Sequence, residues 1–409
     1  MFTGPTITSS LFLKNKLIIN VSKSIIISGG LLMKITIQRD RLVQSVTDVL
    51  KAVSTRTTIP ILTGIKIKAN EEGVTLTGSD SDISIESFIP SEEDGNELVE
   101  IKEAGSIVLP ARFFAEIVKK LPESTVDLEV YAHLQTIIRS GKAEYKLNGL
   151  NAEDYPQLPQ MEEQHMYSMP IDLLKNIIRQ TIFAVSTSET RPVLTGVNWR
   201  IEDGQLICIA TDSHRLAMRK TVINGNGDSY SVVVPGKSLN ELSKILDDTD
   251  EEIKIIFTEN QVLFKSKNLL FFSRLLEGNY PDTSRLIPNE SKTDVRINTK
   301  ELLHAIDRAS LLARESRNNV VKLSTMEGSY IEISSHTPEV GTVTEEIITQ
   351  MIEGEELKIS FSAKYMMDAL KALDVAEVTI NFTGAMRPFV LKGVEDDSML
   401  QLILPVRTY

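Results

Sequence analysis

Residues 53–85 read VSTRTTIPILTGIKIKANEEGVTLTGSDSDISI, and residues 185–217 read VSTSETRPVLTGVNWRIEDGQLICIATDSHRLA. Both stretches run from VST through an arginine, a proline and LTG into two alternating apolar segments, and then reach an aspartate. A weaker third copy, ARESRNNVVKLSTMEGSYIEISSHTPEVG, occupies residues 313–341. Self-similarity of this kind indicates one structural plan that is repeated along the chain.

A second set of markers repeats in the same order. Each of three stretches predicts a strand, a short helix, a turn and a second strand, in that order. They are IVLPARFFAEIVKKLPESTVDLEV (107–130), VVVPGKSLNELSKILDDTDEEIKIIF (232–257) and ISFSAKYMMDALKALDVAEVTINF (359–382). The repeat is long enough for a domain and too long for a solenoid unit. We therefore predict three domains, residues 33–160, 161–291 and 292–409, after a segment of residues 1–32.

Each repeat contains two stretches with helical periodicity. The first of them is DRLVQSVTDVLKAV in the first repeat, and DLLKNIIRQTIFAV and KELLHAIDRASLLA match it in the other two. The remaining sequence alternates apolar and polar residues with period two, as in GVTLTG and LKISFS, between Gly, Asn and Asp turns. The predicted fold class is α+β, with two helices packed on antiparallel sheets in each domain.

The composition is that of a globular protein: 409 residues, 42% of them hydrophobic and 24% charged. The single cysteine, Cys208 in the apolar run LICIA, excludes a disulfide framework and a multi-thiolate metal site, and we expect it to be buried and inert. Residues 1–32 lack acidic residues and any apolar run of the roughly 20 residues that a membrane helix needs. We expect a leader outside the fold, which then starts at Met33.

Positive charge is concentrated in the predicted helices, although the chain as a whole has a net charge of −12. Sixteen Lys and Arg and eight Asp and Glu lie in the six helical segments, which are residues 39–56, 110–121, 171–183, 236–246, 299–314 and 363–373. Lysine and arginine are good helix formers, but glutamate is equally good and is scarce here. Helices that together line one concave surface would attract phosphates, while the acidic exterior repels nucleic acid.

Six motifs carry a resemblance that spans Met33 to Tyr409: MKITIQRDRL (33–42), RTTIPILTG (56–64), LPARFF (109–114), ATDSHRLAM (210–218), NYPDTSRLIP (279–288) and LILPVR (402–407). The chain resembles the bacterial sliding clamps, the beta subunits of DNA polymerase III. The resemblance implies a cytoplasmic head-to-tail homodimer of three-domain subunits, closed as a ring with twelve helices around the hole. Double-stranded DNA passes through the hole without sequence preference, and the clamp confers processivity without catalysing a reaction.

The resemblance also implies the partners and the residues that bind them. The replicative polymerase, the clamp loader and repair proteins bind through short peptide motifs, with no cofactor, no metal and no membrane. The implied peptide groove consists of Arg191, Leu194, Thr211, His214, Arg215, Leu216, Pro281, Arg285, Leu286, Met386, Pro388, Ile403, Leu404, Pro405, Val406 and Arg407. The implied dimer interface consists of Tyr145, Leu147, Leu311 and Leu312.

We predict six DNA-facing residues. Arg56 is predicted from the motif RTTIPILTG, and the other five are predicted from their charge and their position in the helices: Lys119, Arg179, Lys237, Arg308 and Lys371. Each is expected to contact phosphate without regard to base sequence. Two features depart from the family pattern. One is the leader, and the other is Ser213, where the best-known members carry glycine. A serine there adds a hydroxyl to the rim of the groove, and we expect it to be tolerated.

Two other classes of function remain as alternatives. A hydrolase or transferase could use Asp212 and His214, but neighbours in an extended segment point to opposite faces and cannot align as base and nucleophile. The other histidines have no metal-ligand spacing, and there is no Gly-rich phosphate loop or Gly-x-Ser-x-Gly motif. A repeat-built scaffold that binds no DNA is the third hypothesis, which the charged helices disfavour.

Overall fold

The computed structural model describes residues 30–54, 57–158, 165–226, 229–247, 251–288, 290–313, 319–338 and 340–407. The chain forms two compact units, one of residues 1–160 with 267–271 and the other of residues 161–266 with 272–409. Each unit is described separately below. Division of the second unit into a second and a third domain stays a prediction from the sequence repeat.

The described residues contain six α-helices, two in each predicted repeat. They are α1 (Arg39–Val49), α2 (Ala111–Lys120), α3 (Ile171–Thr181), α4 (Gly236–Ile245), α5 (Thr299–Ala313) and α6 (Ala363–Leu373). A proline precedes α2, α3 and α4 directly and marks the change from strand to helix. At the start of α5, the Oδ1 atom of Asn298 accepts hydrogen bonds from the backbone N–H groups of Lys300 and Glu301, which caps the first turn.

Strands fill most of the rest of each repeat. The first repeat contains β1 (Leu31–Gln38), β2 (Gly64–Asn70), β3 (Gly73–Ser79), β4 (Ile83–Pro90), β5 (Glu92–Glu93), β6 (Asn96–Glu97), β7 (Val99–Glu103), β8 (Gly105–Pro110), β9 (Thr125–Tyr131), β10 (Gln135–Ser140) and β11 (Ala143–Asn148). The second contains β12 (Met166–Pro170), β13 (Gly196–Glu202), β14 (Gln205–Thr211), β15 (Arg215–Val222), β16 (Asn224–Asn226), β17 (Tyr230–Pro235), β18 (Glu252–Phe257), β19 (Gln261–Lys265) and β20 (Leu269–Arg274). The third contains β21 (Thr293–Asn298), β22 (Val320–Met326), β23 (Tyr330–Thr337), β24 (Gly341–Ile348), β25 (Met351–Gly354), β26 (Lys358–Ser362), β27 (Glu377–Phe382), β28 (Phe389–Gly393) and β29 (Asp396–Ile403).

The first unit contains two main antiparallel arrays of strands and the two-stranded sheet β5-β6. One is a five-stranded sheet in the order β11-β10-β9-β1-β7, so β11 lies at an edge. The other runs β4-β3-β2-β8. Helix α1 packs its apolar face, including Leu42, Val46 and Val49, into the core, and each such side chain stabilises the fold by about 1.5–3 kcal/mol.

The second unit is built around a nine-stranded antiparallel sheet in the order β17-β13-β14-β15-β29-β28-β27-β21-β25. Its central pairing joins β15 of the second repeat to β29 at the end of the third, with Arg215 opposite Ile403. A four-stranded sheet, β24-β23-β22-β26, belongs to the third repeat alone. The two repeats therefore share one continuous hydrogen-bonded sheet, which will be called the joint sheet.

Opposite faces of the joint sheet support different apolar clusters. One face contributes to the large core of the third repeat, in which the ring centroids of Phe382 and Phe389 lie 5.1 Å apart and the α5 and α6 side chains pack. The other face supports a smaller cluster, which consists of Ile207, Ile209, Leu216, Met218, Val390, Leu400 and Leu402. This smaller set will be called the outer apolar cluster.

The predicted α+β plan with two helices and antiparallel sheets per repeat is confirmed. Two helix ends were placed too far along the chain: α1 gives way to a 3₁₀ turn at Leu50–Ala52, and α3 does so at Ile182–Ala184. Leu31 and Leu32 precede the predicted start at Met33 within β1, and Leu31 lies opposite Tyr131 of β9. Residues 1–29 lie outside the described residues.

Candidate functional site

The stretch ATDSHRLAM forms the hairpin turn between β14 and β15. The Oδ1 atom of Asp212 accepts hydrogen bonds from the backbone N–H groups of His214, at 2.9 Å, and Arg215, at 3.1 Å. Ser213 has a φ of 74°, and its backbone N–H donates to the hydroxyl of Thr211. One carboxylate thus closes a tight turn, which is a common role of aspartate in loops.

The first repeat contains the same turn at the matching position. The Oδ1 atom of Asp80 accepts hydrogen bonds from the N–H groups of Asp82 and Ile83, and the φ of Ser81 is 82°. This matching turn has no histidine or arginine. The aspartate and the serine are therefore turn-forming residues of the repeat, and the geometry gives them no role as acid or nucleophile.

Arg215 is buried, with 7% of its surface exposed, and all three guanidinium nitrogens have partners. The Nε atom lies 3.0 Å from Asp212 Oδ2, the Nη1 atom lies 2.7 Å from Asp368 Oδ2 on α6, and the Nη2 atom donates to the carbonyl of Phe183. The guanidinium also stacks over the rings of Phe183 and Tyr365. Arg215 therefore joins the second repeat to a helix of the third.

The end of the chain returns to this turn. Strand β29 pairs with β15, and beyond it the N–H of Leu404 donates to the carbonyl of His214 at 3.0 Å. The N–H of Val406 then donates to the carbonyl of Ser360 at 2.8 Å. The side chain of His214 is exposed beside this segment, while Leu404, Pro405 and Val406 are half-buried.

A connector, defined as residues 275–288, links β20 to the third repeat and crosses the outer apolar cluster. Tyr280 and Ile287 of the connector pack against this cluster, as does Leu404 from the chain end. The hydroxyl of Tyr280 accepts a hydrogen bond from the N–H of Thr211 at 3.0 Å, and burial raises the pKa of that hydroxyl. The result is an apolar surface bordered by the turn, the connector and the chain end.

The sixteen candidate groove residues fall into distinct environments. Those that are buried are Leu194, Thr211, Arg215, Leu216 and Ile403. Those that are half-buried are Pro388, Leu404, Pro405 and Val406, and those that are exposed are Arg191, His214, Pro281, Arg285, Leu286, Met386 and Arg407. Around the turn the structure brings together Thr211, His214, Arg215, Leu216, Ile403 and Leu404.

Two of the buried candidates are not on the groove surface. Arg215 is held beneath it by its ion pairs, and Ile403 faces the core of the third repeat. Sequence reasoning missed Tyr280, Ile209, Met218 and Leu400, which form or cover the outer apolar cluster. The period-two alternation of β14 and β15 could have indicated Ile209 and Met218, since both alternate with the inward residues of their strands.

The DNA-facing candidates are exposed where they are described: Lys119, Arg179, Lys237, Arg308 and Lys371. Arg56 lies outside the described residues. The guanidinium of Arg308 hydrogen-bonds the carboxylate of Glu345, which raises the pKa of Arg308 and neutralises much of its charge. Arg179 donates to the backbone carbonyl of Lys371 at 3.4 Å, so these two candidates are neighbours in the second unit.

The dimer-interface candidates lie on accessible parts of both units. Tyr145 is 40% exposed on the edge strand β11, and Leu147 of the same strand is half-buried. Leu311 is 60% exposed on α5, whereas Leu312 is half-buried. Exposed large apolar residues on an edge strand and a helix are typical of association surfaces.

The described residues hold no cluster of three or more His, Cys, Asp or Glu side chains that could bind a metal. Cys208 is fully buried, as predicted, and burial raises the pKa of its thiol well above the usual range. No helix in the described part of the chain is long and apolar enough to cross a membrane.

Models of the three domains of the DNA polymerase III beta subunit match the chain in succession. The N-terminal domain model matches residues 33–159, the central domain model residues 168–282, and the C-terminal domain model residues 284–407. The chain belongs to the DNA polymerase III beta subunit family. Members of this family are sliding clamps, non-catalytic processivity factors of DNA polymerase III, so Asp212 and His214 serve no catalytic function.

Relatives match along nearly the whole chain. The beta sliding clamp of Bacillus subtilis (strain 168) is 67% identical over 378 residues, which is 92% of this chain and all of the relative. The crystal structure of the DNA polymerase sliding clamp from Bacillus subtilis superimposes with a TM-score of 0.90 at 66% identity, with 92% and 100% of the two chains covered. A sliding clamp from Pseudomonas aeruginosa bound to griselimycin gives a TM-score of 0.85 at 25% identity with the same coverage.

Proposed function

We propose that two copies of this chain close head to tail around duplex DNA, with the three domains at residues 33–160, 161–291 and 292–409. In this ring the helices face the DNA, and the turn, connector and chain end form the groove for partner peptides. The partners are the replicative polymerase, the clamp loader and repair proteins, all in the cytoplasm. A ring retains DNA by topology, so a chain with net charge −12 needs only weak phosphate contacts.

The observation that carries this proposal is a pair of basic residues at matched positions of the second helix in every repeat. They are Arg112 and Lys119 on α2, Lys237 and Lys244 on α4, and Lys364 and Lys371 on α6. All six are exposed, and residues seven positions apart lie on one helix face about two turns apart, or roughly 10 Å. Exposed positions are not constrained by packing, so a threefold repeat of charge there favours a shared polyanionic ligand.

The groove part of the proposal rests on the apolar surface beside His214. Tyr280, Ile287 and Leu404 pack on the buried outer apolar cluster and are themselves only half-buried, so part of their apolar surface faces solvent. Such a surface suits leucine-like and aromatic anchors of a short peptide, and the exposed imidazole of His214 and the nearby backbone would fix its direction.

Closure as a dimer is supported by two of the sheet edges in the described residues. Strand β11 is an edge of the five-stranded sheet, and β24 is an edge of the four-stranded sheet in the third repeat. Both carry exposed apolar side chains, Tyr145 on β11 and Ile348 on β24. Edge strands with free backbone groups are templates for pairing with a second chain, so we propose that β11 of one copy pairs with β24 of the other.

Retention on DNA tests the ring directly. The protein is loaded onto nicked circular DNA by a clamp loader, and half of the sample is linearised before gel filtration. A closed ring stays on the circle and slides off the linear form. Equal retention on both forms would contradict topological binding.

The interface is tested with Leu311→Ala combined with Leu312→Ala, which should give a folded monomer by light scattering. Circular dichroism reports whether the variant is folded, and Leu286→Ala, at another exposed leucine outside the proposed interface, serves as the control. A double variant that stays dimeric at low micromolar concentration would show that the interface lies elsewhere.

Deletion of residues 405–409 tests the groove. The truncated chain should lose more than about 1–2 kcal/mol of binding to partner peptides, since anchor pockets carry most of the binding energy. It should remain a dimer that is retained on circular DNA. Normal peptide binding by the truncated chain would show that the chain end does not form the groove.

A further inference from the structure

A cavity of about 860 Å³ lies beneath the first half of the connector in the second unit. Strands β13 and β17 form one wall through Asn198, Arg200 and Ser231, and connector residues 275–283 form the other. Ile209 of the outer apolar cluster also lines it. This space will be called the connector cavity.

The connector cavity is continuous with the proposed groove. Tyr280 lines the cavity with its neighbours Pro281 and Thr283, and the same tyrosine packs on the outer apolar cluster and hydrogen-bonds the N–H of Thr211. Tyr280 and Ile209 are therefore shared by the connector cavity and the proposed groove.

The charge of the cavity favours a cationic occupant. Glu259, Glu277 and Asp282 line it and are exposed to solvent, against a single arginine, Arg200. Arg200 lies 3.0 Å from the carboxylate of Glu202, and Arg285 lies 3.9 Å from the carboxylate of Asp282, so the excess negative charge of the cavity is that of Glu259 and Glu277. Hydrogen bonds from the hydroxyl and N–H of Ser284 lower the pKa of Asp282, which keeps that carboxylate ionised.

A buried amide in the wall provides a hydrogen-bond acceptor. Asn198 is 7% exposed, and its Nδ2 atom donates to the Ser231 hydroxyl and to the carbonyl of Val232. The side chain lines the cavity and its Nδ2 atom is engaged by these two acceptors, so the Oδ1 atom is the one suited to accept an N–H from an extended ligand.

We propose that the connector cavity binds the basic flank of the same partner peptides whose apolar motif occupies the groove, with a lysine or arginine side chain among Glu259, Glu277 and Asp282. This inference rests on the proposed groove and adds a second recognition element to it. Exposed charge pairs contribute mainly to selectivity and to the rate of association. The cavity therefore distinguishes partners that share one apolar motif.

The test measures binding of fluorescent peptides to the full-length protein at low and high salt. One apolar motif peptide carries two lysines before the motif, a second carries two lysines after it, and a third carries glutamines on both sides. One of the lysine peptides should bind roughly 3- to 10-fold more tightly than the glutamine peptide at low salt, and the gain should disappear at high salt.

Glu259→Gln combined with Glu277→Gln should remove this gain and leave the affinity of the glutamine peptide unchanged. The matched control, Glu71→Gln combined with Glu72→Gln, removes two exposed carboxylates in the first unit and should keep the gain. Asn198→Ala should weaken the favoured lysine peptide more than a peptide trimmed to the motif, with thermal unfolding as the check on folding.

The outcomes separate this inference from the groove proposal. If no peptide binds the wild-type chain, or binding survives deletion of residues 405–409, the groove proposal fails. If the peptides bind in the groove but neither lysine flank improves affinity, the connector cavity is not a recognition site. A gain that persists in the Glu259→Gln and Glu277→Gln variant overturns the inference in the same way.

Discussion

Two hairpin turns, residues 80–83 in the first unit and 212–215 in the second, share one design and differ at their third and fourth residues. In both, an aspartate Oδ1 accepts two backbone N–H bonds and the next residue is a serine with positive φ. The fourth residue is Ile83 in the first turn and Arg215 in the second, and both are buried.

The aspartate and the serine, which both turns share, form the turn. The fourth residue decides which part of the molecule the turn contacts. Ile83 begins β4 and adds apolar surface to the core of its own unit. Arg215 instead pairs with Asp368 on a helix of the next repeat, and the preceding residue, His214, accepts the N–H of Leu404 through its carbonyl. An identical local structure therefore closes a hairpin in one place and organises a junction between repeats in the other.

The largest expected effect is on stability, from Arg215→Ala. The substitution leaves the carboxylates of Asp212 and Asp368 without their buried partner and should lower the free energy of unfolding by about 3 kcal/mol. Urea denaturation, followed by the fluorescence of Trp199 in the second unit, measures the change. Arg285→Ala, at a side chain that is 92% exposed, is the control and should change it by less than about 0.5 kcal/mol. A loss below about 1 kcal/mol for Arg215→Ala would mean that the joint sheet holds the junction without the ion pairs.

A smaller effect, on binding alone, is expected for His214→Ala. The exposed imidazole borders the groove, so its removal should weaken partner peptides by about 1–2 kcal/mol and leave stability unchanged within about 0.5 kcal/mol. Asp82→Ala, at the matching position of the first turn, should change neither quantity. Equal loss of peptide affinity in both variants would remove the functional difference between the two turns.

The smallest effect should be the same in both turns. Ser213→Gly and Ser81→Gly relieve a positive φ that glycine adopts freely, and each should stabilise its unit by about 0.5–1 kcal/mol in thermal unfolding. Ser266→Gly, at a serine without positive φ, should be neutral or destabilising. Stabilisation at only one of the two turns would contradict their equivalence.

The fold was predictable because the repeat supplies the same local signals three times. Helical spacing in DLLKNIIRQTIFAV and alternation in GVTLTG depend only on side-chain periodicity, and they fixed the type of each element. The ends of α1 and α3 were less predictable, since the 3₁₀ turns that follow them contain residues that suit either helix type.

The candidate site was predictable only in part. The motifs brought His214 and the chain end LILPVR into one hypothesis, and the structure places them side by side. The burial of Arg215 could not be foreseen, because an arginine beside a histidine in a turn has the same local sequence whether or not a carboxylate from α6 reaches it. Tyr280 was missed for the same reason, since its partners Thr211 and the outer apolar cluster are distant in sequence.

The sequence by itself determined the threefold repeat, the α+β plan, the basic helices and the family, since periodicity, charge and motif order are local or additive properties of the chain. Only the tertiary structure decided which basic residues act as surface charge and which are structural. Lys119 and Lys371 remain on exposed helix faces, Arg308 is paired with Glu345, and Arg215 is buried between repeats. The reason is that a basic side chain forms an ion pair only if long-range folding brings an acidic group within about 4 Å of it.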